Sequence, residues 1–252
     1  MPLLLGHTYS RSATRTSMKV AILGWGSLIW RDTTLDGTLG DSDGDHKLKL
    51  SSPWHDDGPS LPIEFARVST GNRLTLVLVP DVPLQKVLWS VSSFGKFEEA
   101  RENLRRREGD GVKLEAIHFL KAGIGEKLAP APALAQTERT HVRGWMSSHP
   151  DIDAVIWTGL GVKDPNGKLA QWGQNEPYSW GPDAALDFLR GNDDPKDSAS
   201  TPIPGGAREY IARTPPSIRT PLRIKIEDTF GNAWKPLDLD PRWTAPCPTH
   251  RR

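Results

Sequence analysis

The stretch Val20-Ala-Ile-Leu-Gly24-Trp25-Gly26-Ser27-Leu28-Ile29-Trp30-Arg31 runs an apolar segment into a turn in which two glycines flank an aromatic residue. A short apolar run bounded by a turn signal reads as a buried strand. Glycines in such a turn accept positive φ, let a ligand approach the main chain, and leave amide N–H groups free to hold an anion. A dinucleotide-binding strand-turn-helix fits poorly. Ile29 stands where the third Gly or Ala belongs, and Asp32-Thr-Thr-Leu-Asp36-Gly37 does not continue as a helix. A phosphate-binding P-loop fits less well, since no Gly-Lys-Ser/Thr follows. The non-functional alternative is a tight turn at a close backbone contact. Under the ligand reading, Gly26→Val is expected to harm activity more than stability, because a β-branched side chain would fill the space a ligand needs.

The segments on either side divide into two zones. Residues 20–23, 63–68, 74–79, 87–91, 114–119, 142–146 and 154–158 are short, apolar and rich in β-branched residues, which predicts strands. Between them, 95–107 places Phe97, Ala100 and Leu104 at helical spacing among charged positions, which predicts an amphipathic helix ended by Gly109. From 166 onward the pattern turns helical. Segments 183–189 and 207–213 and a third opened by Thr220-Pro221 and closed by Gly231 carry the expected boundary residues. The expected class is α+β: a small mixed, partly closed β-sheet or barrel carrying one central helix, with a helical C-terminal extension packed on it. The expected division is a leader without structure over 1–17, an α+β domain over 18–165, loops and helices over 166–234, and an extended tail over 235–252.

The 252 residues carry 32 Lys+Arg against 31 Asp+Glu, a formal charge of +1, which argues against electrostatic binding of nucleic acid. The single cysteine, Cys247, excludes an intrachain disulfide and a Cys-rich zinc site, and suits a reducing, cytoplasmic setting. The apolar runs are too short for a membrane-spanning helix. Asp41-Ser-Asp43-Gly44-Asp45-His46 imitates a calcium loop, but its glycine falls too early and Ser52 stands where the bidentate Glu belongs, so it reads as a solvated acidic loop.

Gly24-Trp-Gly-Ser-Leu-Ile-Trp-Arg31 after an apolar strand resembles the Tyr-Gly-Ser-Leu loop of the γ-glutamylcyclotransferase-like proteins, the ChaC branch in particular, with Trp25 in place of the family's Tyr. In that family a catalytic Glu follows a short strand and a helix. Here Leu88-Trp-Ser-Val91 and the 95–107 helix lead to Arg106-Arg107-Glu108-Gly109, 81 residues beyond Ser27. The likeness spans about residues 19 to 119. It implies the family's α+β fold and an enzyme that releases 5-oxoproline from a small γ-glutamyl amide. It further implies Glu108 as acid/base, Gly24, Trp25, Gly26, Ser27 and Leu28 as substrate cradle, and no metal or organic cofactor. The contrasting reading is a non-catalytic binding or interaction protein that recognises its partner through Trp-rich loops.

Other residues compete for these roles. Without the family likeness, Glu108 reads as an exposed helix-end carboxylate paired to arginine. Glu64 interrupts an apolar strand, where it is expected to face solvent or, as the second choice for the catalytic carboxylate, a pocket. His118, between Ile117 and Phe119, reads as a hydrogen-bonded structural histidine. His149-Pro-Asp151-Ile-Asp153 lacks the surroundings of triad partners for Ser27. Among ten tryptophans, Trp172 and Trp180 with Tyr178 form a possible aromatic platform, and most of the others are expected in the core.

Overall fold

Val20, Ala21, Ile22 and Leu23 are all fully buried, as befits a strand with neighbours on both edges and packed layers on both faces. The computed structural model describes residues 17–30, 33–35, 47–123, 125–173, 180–191 and 206–234. The leader up to residue 16, the 41–46 loop, Tyr178 and the 235–252 tail lie outside them. In chain order the elements are β1 (Val20–Gly24), α1 (Ser27–Trp30), β2 (Thr33–Leu35), β3 (Leu48–Leu50), β4 (Ser60–Ser69), β5 (Arg73–Leu78), β6 (Leu84–Lys86) and β7 (Leu88–Val91). There follow α2 (Phe97–Glu108), β8 (Ile117–Lys121), β9 (Gly125–Lys127), α3 (Pro132–Ser148), β10 (Ala154–Thr158), α4 (Pro182–Gly191), α5 (Ala207–Arg213) and α6 (Pro221–Phe230).

The architecture is α+β. The five-stranded sheet has the order β7-β1-β10-β8-β9, parallel only between β1 and β10. A three-stranded antiparallel sheet, β5-β4-β6, and a parallel β2–β3 pair complete the ladders. The described strands form no closed barrel; isolated bridges such as Leu50 to Ser92 connect their margins.

Alternation along β1 sorts its side chains onto two cores. Val20 and Ile22 pack with Trp54, Phe97, Ala100 and Leu104, so α2 covers that face. Ala21 and Leu23 pack with Phe65, Leu76, Trp145, Trp157 and Ile211 on the other. Each fully buried aliphatic side chain contributes about 1.5–3 kcal/mol relative to exposure. The helix over Phe97–Glu108 follows the sequence expectation, with Gly109 past its end at φ 120°. The three C-terminal helices also form where expected. Thr220 caps α6 by accepting the Arg223 N–H, and Gly231 ends it at φ 73°. α5 packs on β5 and α1, and α6 packs on β4.

One expected strand is wrong. Residues 142–146 lie inside α3, whose buried face is Leu134, Glu138, Val142, Trp145 and Met146. That stripe has helical spacing, but a buried carboxylate interrupts its apolar pattern, which leaves Val142, Trp145 and Met146 looking like a separate short segment. Residues 114–116 form a 3-10 turn, and β8 begins only at Ile117. Among the described residues, no helix is long and apolar enough to cross a membrane.

Candidate functional site

Because β1 and β10 run parallel, their C-terminal ends meet at one edge of the sheet. The Trp25–Leu28 turn leaves β1 there, Thr158 closes β10, and α2 ends nearby with Glu108. A cavity of about 350 Å³ opens at this junction, lined by Trp25, Ser27, Leu28, Glu108, Thr158 and Tyr210. The β4–β5 hairpin supplies another wall, including Arg67 and Arg73. A bulge between Phe65 and Arg67 breaks the β4–β5 register. At this irregularity the Lys163 N–H donates to the Ala66 carbonyl at 3.2 Å, and the Lys163 carbonyl accepts from Val68 N–H at 2.9 Å. The irregularity thus lets a distant segment dock beside Arg67 and complete the cavity.

Glu108 is half-buried and belongs to this wall, contrary to the exposed helix-end reading. Thr158 Oγ1 donates to Glu108 Oε1 at 3.1 Å. Burial raises the carboxyl's proton affinity; the Arg107 charge, the Thr158 hydrogen bond and the Arg67 charge oppose this without cancelling it. Arg107 is anchored by donation from Nη2 to the Ser27 carbonyl at 2.9 Å, and Arg67 by donation from Nη1 to the Gly161 carbonyl at 2.8 Å. Burial lowers the Arg67 pKa, with Glu108 working against the shift.

Gly26 has φ 67°, the left-handed backbone expected of the turn. The space beside it, however, belongs to Tyr210. A Cβ at Gly26 would stand 2.7 Å from Tyr210 Cζ and closer still to its oxygen. The expectation that Gly26→Val harms activity more than stability took the space beside Gly26 for a ligand's; that space holds the buried phenol of α5, so the substitution also carries a stability cost. Gly24 is also required by packing, since a Cβ there would stand 2.5 Å from the Trp54 ring. Trp25 is buried, and its indole donates to the Leu76 carbonyl at 3.2 Å. Burial pushes the Tyr210 phenol up to about 12, while main-chain hydrogen bonds from Leu76 and Ser27 to its oxygen work the other way. The phenol is thus protonated at neutral pH, and with main-chain donors on its oxygen its own proton can be donated elsewhere.

Glu64 does not line the cavity and does not face solvent; it is 2% exposed. Its carboxylate accepts from the Phe65 N–H at 2.8 Å and from the Leu222 N–H at 3.2 Å, so it holds the N-terminus of α6. Burial raises its pKa, and hydrogen bonds from Thr220, Phe65 and Leu222 oppose the rise. His118 has the expected structural setting: Nδ1 lies 2.7 Å from Glu138 Oε1, beside the Trp157 indole that donates to the same oxygen at 2.8 Å. His149 stacks on Trp145 and lies outside the cavity lining, as do Asp151 and Asp153.

Trp180 is 1% exposed and donates to the Ala66 carbonyl at 3.0 Å, so it belongs to the core and not to a recognition platform; Trp172 is half-buried against it. Trp54, Trp89, Trp145, Trp157 and Trp234 are likewise buried. Sequence reasoning did not single out Arg67, Arg73, Arg107, Thr158, Lys163 or Tyr210 as site residues. Arg67 and Thr75 carried a usable signal as polar interruptions of apolar strands, whereas Tyr210 carried none. Among the described residues, no three His, Cys, Asp or Glu side chains gather as a metal site. Comparison with protein-family models, curated proteins and solved structures gave no match to this chain.

Proposed function

We propose that the protein is a γ-glutamylcyclotransferase-like enzyme with the corresponding α+β fold, acting on a small γ-glutamyl amide in the cavity at the C-terminal ends of β1 and β10. One observation carries this reading. Trp25, Ser27 and Leu28 of the glycine turn and Glu108, 81 residues beyond Ser27 in sequence, line a single cavity in which burial raises the carboxyl's proton affinity, whereas Gly24 and Gly26 are not in its lining. Its volume of about 350 Å³ lies at the small end of the range for small-molecule sites.

In the proposed reaction the substrate's α-amine attacks its own γ-carbonyl carbon. A ring C–N bond forms, the original amide C–N bond breaks, and 5-oxoproline leaves with a free amine. Holding the two reacting atoms together in one bound conformer contributes up to about 7–11 kcal/mol in the best intramolecular cases. The Glu108 carboxylate takes the proton that the α-ammonium must lose and returns it to the departing amine. A raised pKa suits a group that must do both near neutrality. The Tyr210 hydroxyl donates to the oxygen that becomes anionic in the tetrahedral intermediate. Arg107, fixed on the Ser27 carbonyl, keeps a positive charge beside the carboxylate.

The experiment is release of 5-oxoproline from a panel of γ-glutamyl amides by wild type and Glu108→Gln. The Gln variant keeps shape and hydrogen bonding but cannot accept the proton, so turnover should fall by at least about 10²-fold while the melting temperature does not fall. Absence of release from every amide, or full activity in the Gln variant, overturns the reading.

A further inference from the structure

We propose that Thr158 is the positioning residue of the Glu108 carboxyl: its hydroxyl holds Oε1 and thereby presents Oε2 as the oxygen that takes the proton from the substrate's α-ammonium and returns it to the departing amine. The inference rests on the cyclotransferase reading of the same cavity.

The place of Glu108 in the chain calls for such a tether. It is the last residue of α2, and Gly109 beyond it leaves the helix at φ 120°. Terminal helical residues fray, and the partial negative charge of a helix C-terminus disfavours a carboxylate there. A donor from outside the helix is therefore needed to hold this side chain in one orientation. Among the described residues, Thr158 is the one that hydrogen-bonds the Glu108 side chain, from Oγ1 to Oε1 at 3.1 Å, and Oε2 takes no such bond. The same bond favours the ionised carboxylate, which burial disfavours.

Thr158 is itself fixed. It closes β10 opposite Ile117 of β8, is buried, and carries a β-branched side chain with few rotamers open to it. Arg101 of α2 donates from Nη2 to the carbonyls of Leu114 at 2.8 Å and Ile117 at 3.0 Å, which ties the helix that carries Glu108 to the residue paired with Thr158. Just beyond Thr158, the Gly159 N–H donates to the Ala116 carbonyl at 2.7 Å, and a Cβ at Gly159 would fall inside the His118 ring. That ring is held in turn by Glu138. A hydroxyl on so constrained a strand end can locate a carboxylate oxygen closely, and the precision matters, because misplacement of a reacting group by about 1 Å can cost about 10²-fold in rate.

The test pairs an NMR titration of the labelled Glu108 carboxyl, assigned by its loss in Glu108→Gln, with the pH dependence of kcat and KM for 5-oxoproline release. Thr158→Val and Thr158→Ala lack the hydroxyl and Thr158→Ser keeps it, and melting curves check that each folds. Both hydroxyl-free variants should raise the carboxyl pKa by about one pH unit and move the acidic limb of the kcat profile by the same amount. They should also lower kcat by about tenfold or more with KM changed by less than about threefold. That deficit should persist above the limb, where the carboxyl is ionised in every variant. The Ser variant should recover the carboxyl pKa and bring kcat to within about threefold of wild type. Arg67, Arg73, Arg107, Lys163 and Tyr210, the other ionisable residues of the lining, are the same in all variants, so a displaced limb reports loss of the hydroxyl. An unmoved carboxyl pKa, an unchanged kcat in a folded Val or Ala variant, or a Ser variant as slow as these overturns the positioning role and leaves the cyclotransferase reading standing. Absence of 5-oxoproline release by wild type overturns that reading, and the part of Thr158 in proton transfer with it, whatever the titration gives.

Discussion

Replacing Gly26 by alanine tests the junction between the glycine turn and the C-terminal helices. Gly26 sits at φ 67°, where a non-glycine residue costs about 1–2 kcal/mol. The added Cβ would also meet Tyr210, at 2.7 Å from Cζ and closer to the oxygen. Tyr210 has little room to retreat: it is 5% exposed and packs edge-on against Phe65 and Trp30, with ring centroids 6.3 and 6.0 Å away. Displacing it forfeits two main-chain hydrogen bonds, each worth a net 0.5–1.5 kcal/mol or about 1–3 together. The total is roughly 2–5 kcal/mol, or a melting temperature lower by about 4–20 °C for a chain of this size. Tyr210→Leu removes the phenol. In that background Gly26→Ala should cost only the backbone strain, which leaves a coupling energy of about 1–3 kcal/mol between the two sites. Urea denaturation of wild type, both single variants and the double variant measures this coupling. Equal cost of Gly26→Ala in both backgrounds would refute the proposed contact, and a cost below about 0.5 kcal/mol in wild type would refute the strain as well.

Two further outcomes follow from buried carboxyls. Glu138→Ala deprives the Ala129 N–H, the Trp157 indole and the His118 ring of their shared acceptor, and should cost about 3–5 kcal/mol by urea denaturation; a loss below about 1 kcal/mol would show that the cluster is relaxed in solution. Burial raises the Glu108 pKa, so the folded state holds this proton more tightly than the unfolded chain does. The associated stability is present in acid and is lost as pH rises from the ordinary carboxylate range through the raised folded value. Glu108→Gln mimics the protonated form, so its stability relative to wild type should rise as pH is raised above the ordinary carboxylate range, and a stability difference that does not change with pH would contradict the assignment.

The parts of the fold legible in the sequence are those whose cause is local. Val20 to Leu23 read as a buried strand because no polar residue interrupts them. Phe97, Ala100, Leu104 and Gly109 announced α2 by spacing and stop signal, and Thr220, Pro221 and Gly231 marked α6 by its caps. The pairing of the glycine turn with Glu108 was expected only through a family likeness, and it became a distance relation once β1 and β10 lay parallel. Glu138 and Glu64 show where local reading fails. Glu138 stands among polar neighbours and Glu64 in an apolar run, and nothing nearby in sequence reveals that His118 and Trp157 surround the first, or that the start of α6 receives the second. Tyr210 and Lys163 reach the cavity from far along the chain, by packing of α5 on β5 and by docking at the β4 bulge. A side chain's helical or strand preference is set by neighbours a few residues away, whereas its burial, hydrogen-bond partner and proton affinity are set by whatever surface folding brings against it, and only the tertiary structure decides that.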